Sequence, residues 1–321
     1  MRRKHRRRRI MTDTEICYAV IDAASEPDVF SLLDEYNPPA CCLYSEPLQP
    51  EMAELAPYLV EVSDDVRQWL DTRQTPWGIY LYSPVTMREL RHHLRKFTMV
   101  IIPGQEKPVF WRFYDPRTIR EILATFDDWR LHTFLGPVTK LETNLWGNKQ
   151  SDRFEEQRKR YPEQAGMRGM FMKFSAADYA KISAVSEQKL AQKMAVYFLM
   201  YEANSHNVSS DFSVTDIMSR TLTNDRFGYE PLPAGLSPSG LERYLALSRD
   251  IIALFNGLSV SAEESYLYFC YALAFFRIKR FSDIPPEWLS FLSDSEGDGN
   301  YRVCKLMISL FDALPDIYHS S

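Results

Sequence analysis

VFWRFYDPR, Val109 to Arg117, decides how this chain is read. Strand alternation puts Val109, Trp111 and Phe113 on one face and Phe110, Arg112 and Tyr114 on the other. Asp115 then stands where a helix N-cap belongs, and Pro116 takes the first helical position, where a missing N–H costs nothing and a fixed φ helps. Arg117 projects from the first turn of a helix carrying Ile119, Ile122 and Leu123. Strand running straight into helix is the grammar of a mixed α/β domain. Arg112 and Arg117 flank Asp115 and can both pair with it, and Arg112 can stack on Phe110 or Tyr114. Fixing this corner needs no catalytic role; contact with a partner is the other reading.

The same alternation of periods extends from Ile16 to about Trp146. ICYAVID, ACCLYS, YLVEV and WGIYLYS read as strands. Ser25 is placed to cap a helix through about Tyr36, which Pro38-Pro39 ends, and a short helix is expected near Glu51 to Ala56. Ser63 precedes DDVRQWLDTR, whose two carboxylates suit the first turn of a helix dipole. Thr86-Met87-Arg88-Glu89 fits a capping box. The helix it opens carries Met87, Leu90, Leu94 and Phe97 as a core stripe, leaving Arg88, Arg91, His92, Arg95 and Lys96 as a cationic flank. TMVIIP and VFWRFY, joined by the turn-forming PGQEKP, read as a hairpin.

Beyond DRFEEQRKR, taken as linker or exposed helix, the pattern becomes helical. Ser175 to Asp178 opens a long helix to about Glu202, and further helices are expected over 240–255, 262–279 and 301–314, with a loop over 205–239. The organisation predicted is a basic arm over 1–15, an α/β domain over 16–147 and an all-α domain over 148–321.

With 321 residues, 45% hydrophobic, the chain can bury a substantial core. The net charge of −5 hides an asymmetry. Residues 2–9, RRKHRRRR, carry seven of the 38 Lys and Arg, so the remainder holds 31 against 43 acidic residues, a net of −12. Such a block invites a nucleic-acid reading, but without interleaved aromatics it reads as a solvated tail. Met11 follows at once and reads equally as the start. MTDTEICYAVIDAA is broken by Asp13, Glu15 and Asp22 and has no signal-peptide core. No stretch approaches 18 apolar residues, so a cytoplasmic location is expected.

Five cysteines, Cys17, Cys41, Cys42, Cys270 and Cys304, have no C-x-x-C spacing and read as buried thiols. Gly235 to Gly240 misses the G-x-S-x-G spacing, and phosphate-loop, dinucleotide and zinc-protease motifs are not found. DSEGDGNYRVCK, Asp294 to Lys305, starts like a calcium loop but puts Lys305 where a bidentate Glu belongs. Cys41, His92-His93 and Asp115 make the sharpest catalytic combination, with nothing in the spacing to bring them together. MRGMFMKF, Met167 to Phe174, reads as core, or as an adaptable binding surface. No cofactor or metal is expected.

YAVIDAA, LAPYLVEV, WGIYLYSP, LRHHLRKF, VFWRFYDPR and FLGPV follow one another in an order that resembles the N-terminal domain of the type VI secretion effector adaptor/chaperone family, a domain of unknown function. The specific pieces are His93-Leu94-Arg95, Arg112-Phe113-Tyr114-Asp115-Pro116-Arg117 and Gly136-Pro137-Val138. The resemblance covers roughly Cys17 to Trp146; the helical remainder matches in style only, and the arginine-rich start departs from the pattern.

The resemblance implies a cytoplasmic, non-catalytic protein that binds a toxic effector, stabilises it and helps load it onto the spike protein of the secretion apparatus. Arg88, Arg91, His92, Arg95, Lys96 and Arg112 are the candidate contact residues, and the helical half the candidate for effector specificity; that flank reads equally as a solvated face. An enzyme with an unrecognised site is the alternative, and a nucleic-acid binder comes third.

Overall fold

The computed structural model describes residues 11–44, 47–162, 170–205, 238–294 and 296–312. Residues 1–10 of the basic arm, nearly all of the loop expected over 205–239 and the first three residues of the MRGMFMKF run lie outside the described residues; the last five residues of the arm expected over 1–15 belong instead to the first strand, which starts at Met11. The chain divides into two compact units, Met1–Val185 and Ser186–Ser321.

The first unit is built on a six-stranded, wholly antiparallel sheet in the order β2 (Ala40–Cys42), β3 (Pro57–Glu61), β1 (Met11–Asp22), β4 (Gly78–Val85), β7 (Lys140–Leu145), β8 (Asn148–Asp152). The period of two sorts side chains onto opposite faces. Tyr18, Val20, Leu59, Ile79, Leu81 and Leu141 enter one core cluster, with Leu90 and Leu94 of α4 (Met87–Leu94), Ile119 and Leu123 of α5 (Ile119–Ala124) and Phe134 of α6 (Asp128–Leu135). Ala19, Ile21, Val60 and Tyr80 enter another, with Val29 and Leu32 of α1 (Val29–Tyr36) and Val66 and Leu70 of α3 (Asp64–Thr72). Helices therefore cover both faces of the central strands, which is why YAVID is apolar almost without alternation.

A second, three-stranded sheet runs β6 (Val109–Phe110), β5 (Met99–Ile101), β9 (Met172–Lys173). The predicted hairpin is its antiparallel pair, Met99 opposite Phe110. β9 joins β5 in parallel from about seventy residues downstream, Met172 beside Val100, and β8 extends the larger sheet, so the unit reaches past the 16–147 span expected.

Capping chemistry sets several boundaries. Ser63 accepts from the Val66 amide, and Thr86 and Glu89 complete a reciprocal box at the start of α4. Ser25 caps nothing: its hydroxyl donates to Asp22, and α1 begins at Val29 with Asp28 preceding it. DRFEEQRKR holds only one helical turn, α7 (Glu155–Arg158). Ser175 and Asp178 box the start of α8 (Ala176–Ser205), within which the two units divide.

The second unit consists of the rest of α8 with α9 (Pro238–Gly257), α10 (Glu263–Phe275), α11 (Pro286–Asp294) and α12 (Gly299–Phe311) around one core that includes Met194, Tyr197, Phe255, Phe269, Leu292 and Val303. The helix expected over 262–279 stops at Phe275, where Arg277 turns to φ 58°. The calcium-like loop has a structural use instead, because the Asp298 carboxylate accepts from the Tyr301 amide and caps α12. The fold is thus an α/β unit with flanking helices followed by a helical one. Among the described residues, no helix is long and apolar enough to cross a membrane.

Candidate functional site

Two of the three sequence motifs meet in one contact. His93 Nε2 lies 2.7 Å from the Phe134 carbonyl. Its ring fills the space above Gly136, where a Cβ would stand 2.2 Å from His93 Cε1. Gly136, at φ 51° and ψ −113°, ends α6 in a backbone shape that a side chain would strain. The next residue, Pro137, offers its carbonyl to the buried Ser83 hydroxyl at 2.8 Å, tying the motif to β4. Arg158 holds the carbonyls of Gly136 and Val138 from outside. Leu94 and Val138 are core. His93 is therefore engaged in packing α4 against α6.

RFYDPR is also a junction, though not the one expected. The strand ends at Phe110, and the chain turns through Phe113 and Tyr114, so both of those adjacent side chains are buried rather than alternating. Helix α5 begins at Ile119, three residues later than predicted; Asp115 and Pro116 form the turn before it. Asp115 accepts the Arg117 amide at 2.9 Å and the Arg117 guanidinium at 2.8 Å, and its carbonyl takes the Ile119 amide at 3.0 Å. Arg112 does not share that carboxylate. It pairs with Asp22 at the end of β1, which is 3% exposed, and donates to Ser25 at 2.8 Å. YAVID and RFYDPR are thereby joined by a buried carboxylate and a half-exposed guanidinium.

Above this framework lies an open groove of about 660 Å³. Leu43 and Tyr44 enter from the end of β2, Met52 from α2 (Pro50–Ala53), Phe110 from β6, and Met170 and Phe171 from the approach to β9. Phe110 is 57% and Met170 75% exposed, and the Phe110 and Tyr44 rings sit 5.2 Å apart. Large apolar side chains held this open to water mark a contact surface more often than a core fault. MRGMFMKF is thus divided: Met172 and Phe174 are core, whereas Met170 and Phe171 line the groove.

One wall is the end of α4. His92, Arg95 and Lys96 line it, and Arg88 continues the row one turn back. Arg88 and His92 are exposed, and neither they nor Lys96 have an ionic or hydrogen-bonding partner among the described residues. Arg91 is turned another way, its Nε donating to the Cys42 carbonyl at 2.7 Å. Of the six cations singled out in the sequence, three therefore line the groove, one extends their row, and Arg91 and Arg112 hold neighbouring strands. Tyr44, Met52 and Phe110 give no sign in the sequence of lining a groove, because apolar residues scattered over distant segments carry no pattern.

A smaller cleft of about 390 Å³ is lined by His132, Arg153, Arg158, Lys159 and Tyr161. Its cations are already matched: Arg153 to Glu15, Lys159 to Glu156 and Arg158 to the two carbonyls. His132, 4% exposed between Trp129 and Tyr161, has neither ring nitrogen bonded among the described residues. A part-buried polar network joins Arg67, Tyr82, Lys140 and Glu142 on the sheet face under α3. Burial there opposes ionisation of Glu142, yet Lys140 and Arg67 outweigh it and hold the carboxyl below its ordinary range. Such mutually satisfied groups fix structure.

Cys41, opposite Leu59 in β2, His93, on the Phe134 carbonyl, and Asp115, on Arg117, are each committed elsewhere rather than assembled as a site. Cys270 is fully buried and desolvation drives its thiol far up from the usual range. Among the described residues, no group of three or more His, Cys, Asp or Glu is placed to hold a metal.

Residues 17–133 match a family model described as a domain of unknown function, DUF4123. That span, about a third of the chain, runs from the middle of β1 through most of α6 and contains every residue of the α4 wall. No curated protein and no solved structure matches.

Proposed function

We propose that this protein is an adaptor and chaperone for a type VI secretion effector. It binds the effector in the cytoplasm, stabilises it and helps load it onto the spike protein, making and breaking no covalent bond. The observation that carries this reading is the groove: an open apolar concavity edged by cations, mounted on the unit that bears the motifs. The ordered resemblance and the domain match over 17–133 support it. Methionines such as Met52 and Met170 suit a surface that must fit a partner and release it, because an unbranched thioether adapts its shape at little cost.

A specific complex needs about 1,600 Å² of total buried surface, so the groove supplies anchors and the surrounding surface supplies the rest. The helical unit contributes effector specificity. It offers its own exposed aromatics, Phe275 and Phe276, which pack with Phe311 at the ends of α10 and α12. Loading requires only moderate affinity, with release driven by competing contacts at the spike.

The test is co-expression of the tagged protein with each protein encoded by the genes beside its own, among which this reading expects a toxin and a spike protein. A stoichiometric complex is expected, weakened by Phe110→Asp with the melting point unchanged. Absence of any complex, with turnover of a small molecule by the purified protein, refutes the reading.

A further inference from the structure

The groove's own chemistry specifies what should fill it. Three features constrain the occupant. First, its floor is hydrophobic and open, with Phe110 and Met170 more than half exposed, so the occupant must bring large apolar side chains. Second, main-chain recognition is poorly served. β6, which brings Phe110 to the groove, is two residues long and gives way to a turn at Phe113, too short a ladder for an added strand. The α4 wall satisfies its backbone internally and offers side chains alone. Third, that wall is basic. Arg88 and His92 stand four apart on one side of α4, about 6 Å per turn, and Lys96 follows in the turn after the helix ends at Leu94. None has a partner among the described residues, and Arg95 stands beside them on the groove.

We infer that the groove receives an amphipathic helix of the partner, its apolar face on Phe110 and Met170 and an acidic flank along Arg88, His92 and Lys96. This rests on the adaptor reading and names the partner's chemistry. Recognition of a helix by its apolar anchors, with charges setting its direction, is an established way for a groove to bind without main-chain pairing. The protein's net charge of −5 works against an acidic ligand at long range, so a preference for one must arise locally at this wall.

The experiment measures binding of the full chain to two synthetic peptides of about 18 residues, five helical turns, by fluorescence anisotropy. Both carry the same Leu, Met and Phe face; one has Glu along its flank, the other Lys. The Glu peptide is expected to bind about tenfold tighter, the yield of two or three exposed ion pairs, and the gap should narrow at high salt. Charge reversal by Arg88→Glu, His92→Glu and Lys96→Glu should invert the order, whereas Phe110→Asp should weaken both peptides. If the triple variant fails to fold, His92→Glu alone should narrow the gap.

Equal binding of the two peptides, tighter binding of the Lys peptide, or binding of neither overturns the inference. The adaptor reading is judged apart from this. Peptides that do not discriminate, with a toxin or spike that still co-purifies, sink only the proposed occupant. Failure of every encoded neighbour to bind the wild-type chain sinks the reading beneath it.

Discussion

Gly136→Ala should cost far more than one methyl group ordinarily does, and His93→Ala should recover much of the loss. The new Cβ would stand 2.2, 2.6 and 2.7 Å from His93 Cε1, Nε2 and Nδ1, so the ring cannot stay where it is. Forcing an L-residue to φ 51° and ψ −113°, outside the left-handed helical well, costs about 1–3 kcal/mol. Displacing a packed ring costs about 1–3 kcal/mol more, and losing the 2.7 Å contact with the Phe134 carbonyl adds about 1 kcal/mol. The single variant is therefore expected to lose about 3–7 kcal/mol. Without the imidazole the glycine substitution costs only the backbone strain, so the double variant should be more stable than the two single losses predict, by about 2–4 kcal/mol. Urea unfolding followed by tryptophan fluorescence is a suitable assay, because five of the six tryptophans, Trp69, Trp77, Trp111, Trp129 and Trp146, lie in the first unit. Strict additivity would mean that the ring does not occupy the space above Gly136 and would refute the account of how α4 and α6 lock.

Asp115→Ala should lower stability by about 1–2 kcal/mol, since it removes both an amide acceptor and a partner of Arg117; an unchanged melting point would contradict the turn described. Hydrogen bonds from Arg130 and Ser175 hold the Asp178 carboxyl well below its ordinary range. Its contribution is thus present above the unfolded carboxylate pKa near 4 and lost as pH falls towards its depressed folded value; Asp178→Asn should flatten the acid limb of a pH–stability curve. Burial pushes the phenols of Tyr18 and Tyr244 up to about 12. Their stabilisation is complete below pH about 10 and lost as pH rises through about 12, so alkaline unfolding should coincide with tyrosinate absorbance and soften in Tyr18→Phe. Cys270 should resist thiol reagents in the native protein and react only on unfolding.

Local rules carry far in the sequence. The boxes at Thr86 and Ser175 are contacts between residues three apart, so the order of residues alone makes them legible. β1 to β4 of the larger sheet are visible because their apolar runs are dense, whereas β7, KLETNL, and β8, the wholly polar NKQSD, give no such signal. The order of the sheet is not visible either, since pairing of β1 with β3 and β4 depends on loop paths that periodicity does not encode. VFWRFYDPR shows the limit best. Aromatic and charged residues alternate as in a strand, but the demands of burying both Phe113 and Tyr114 and carrying Arg112 to Asp22 bend the chain into a turn. β9 is hidden for a related reason: a two-residue parallel strand has too few side chains to announce itself. Among the groove residues, the basic side chains of α4 are legible as a helical flank, whereas the groove they edge is not.

That groove draws Leu43 and Tyr44, the end of α4, Phe110 and Phe171 from stretches scattered along the first half of the polypeptide. Tyr44 can meet Phe110 as soon as both are in place, but the side that Phe171 supplies comes last in the chain. The concavity is therefore complete only in a polypeptide that extends through Phe171, and a copy cut before that residue would keep the basic side and lose the one facing it.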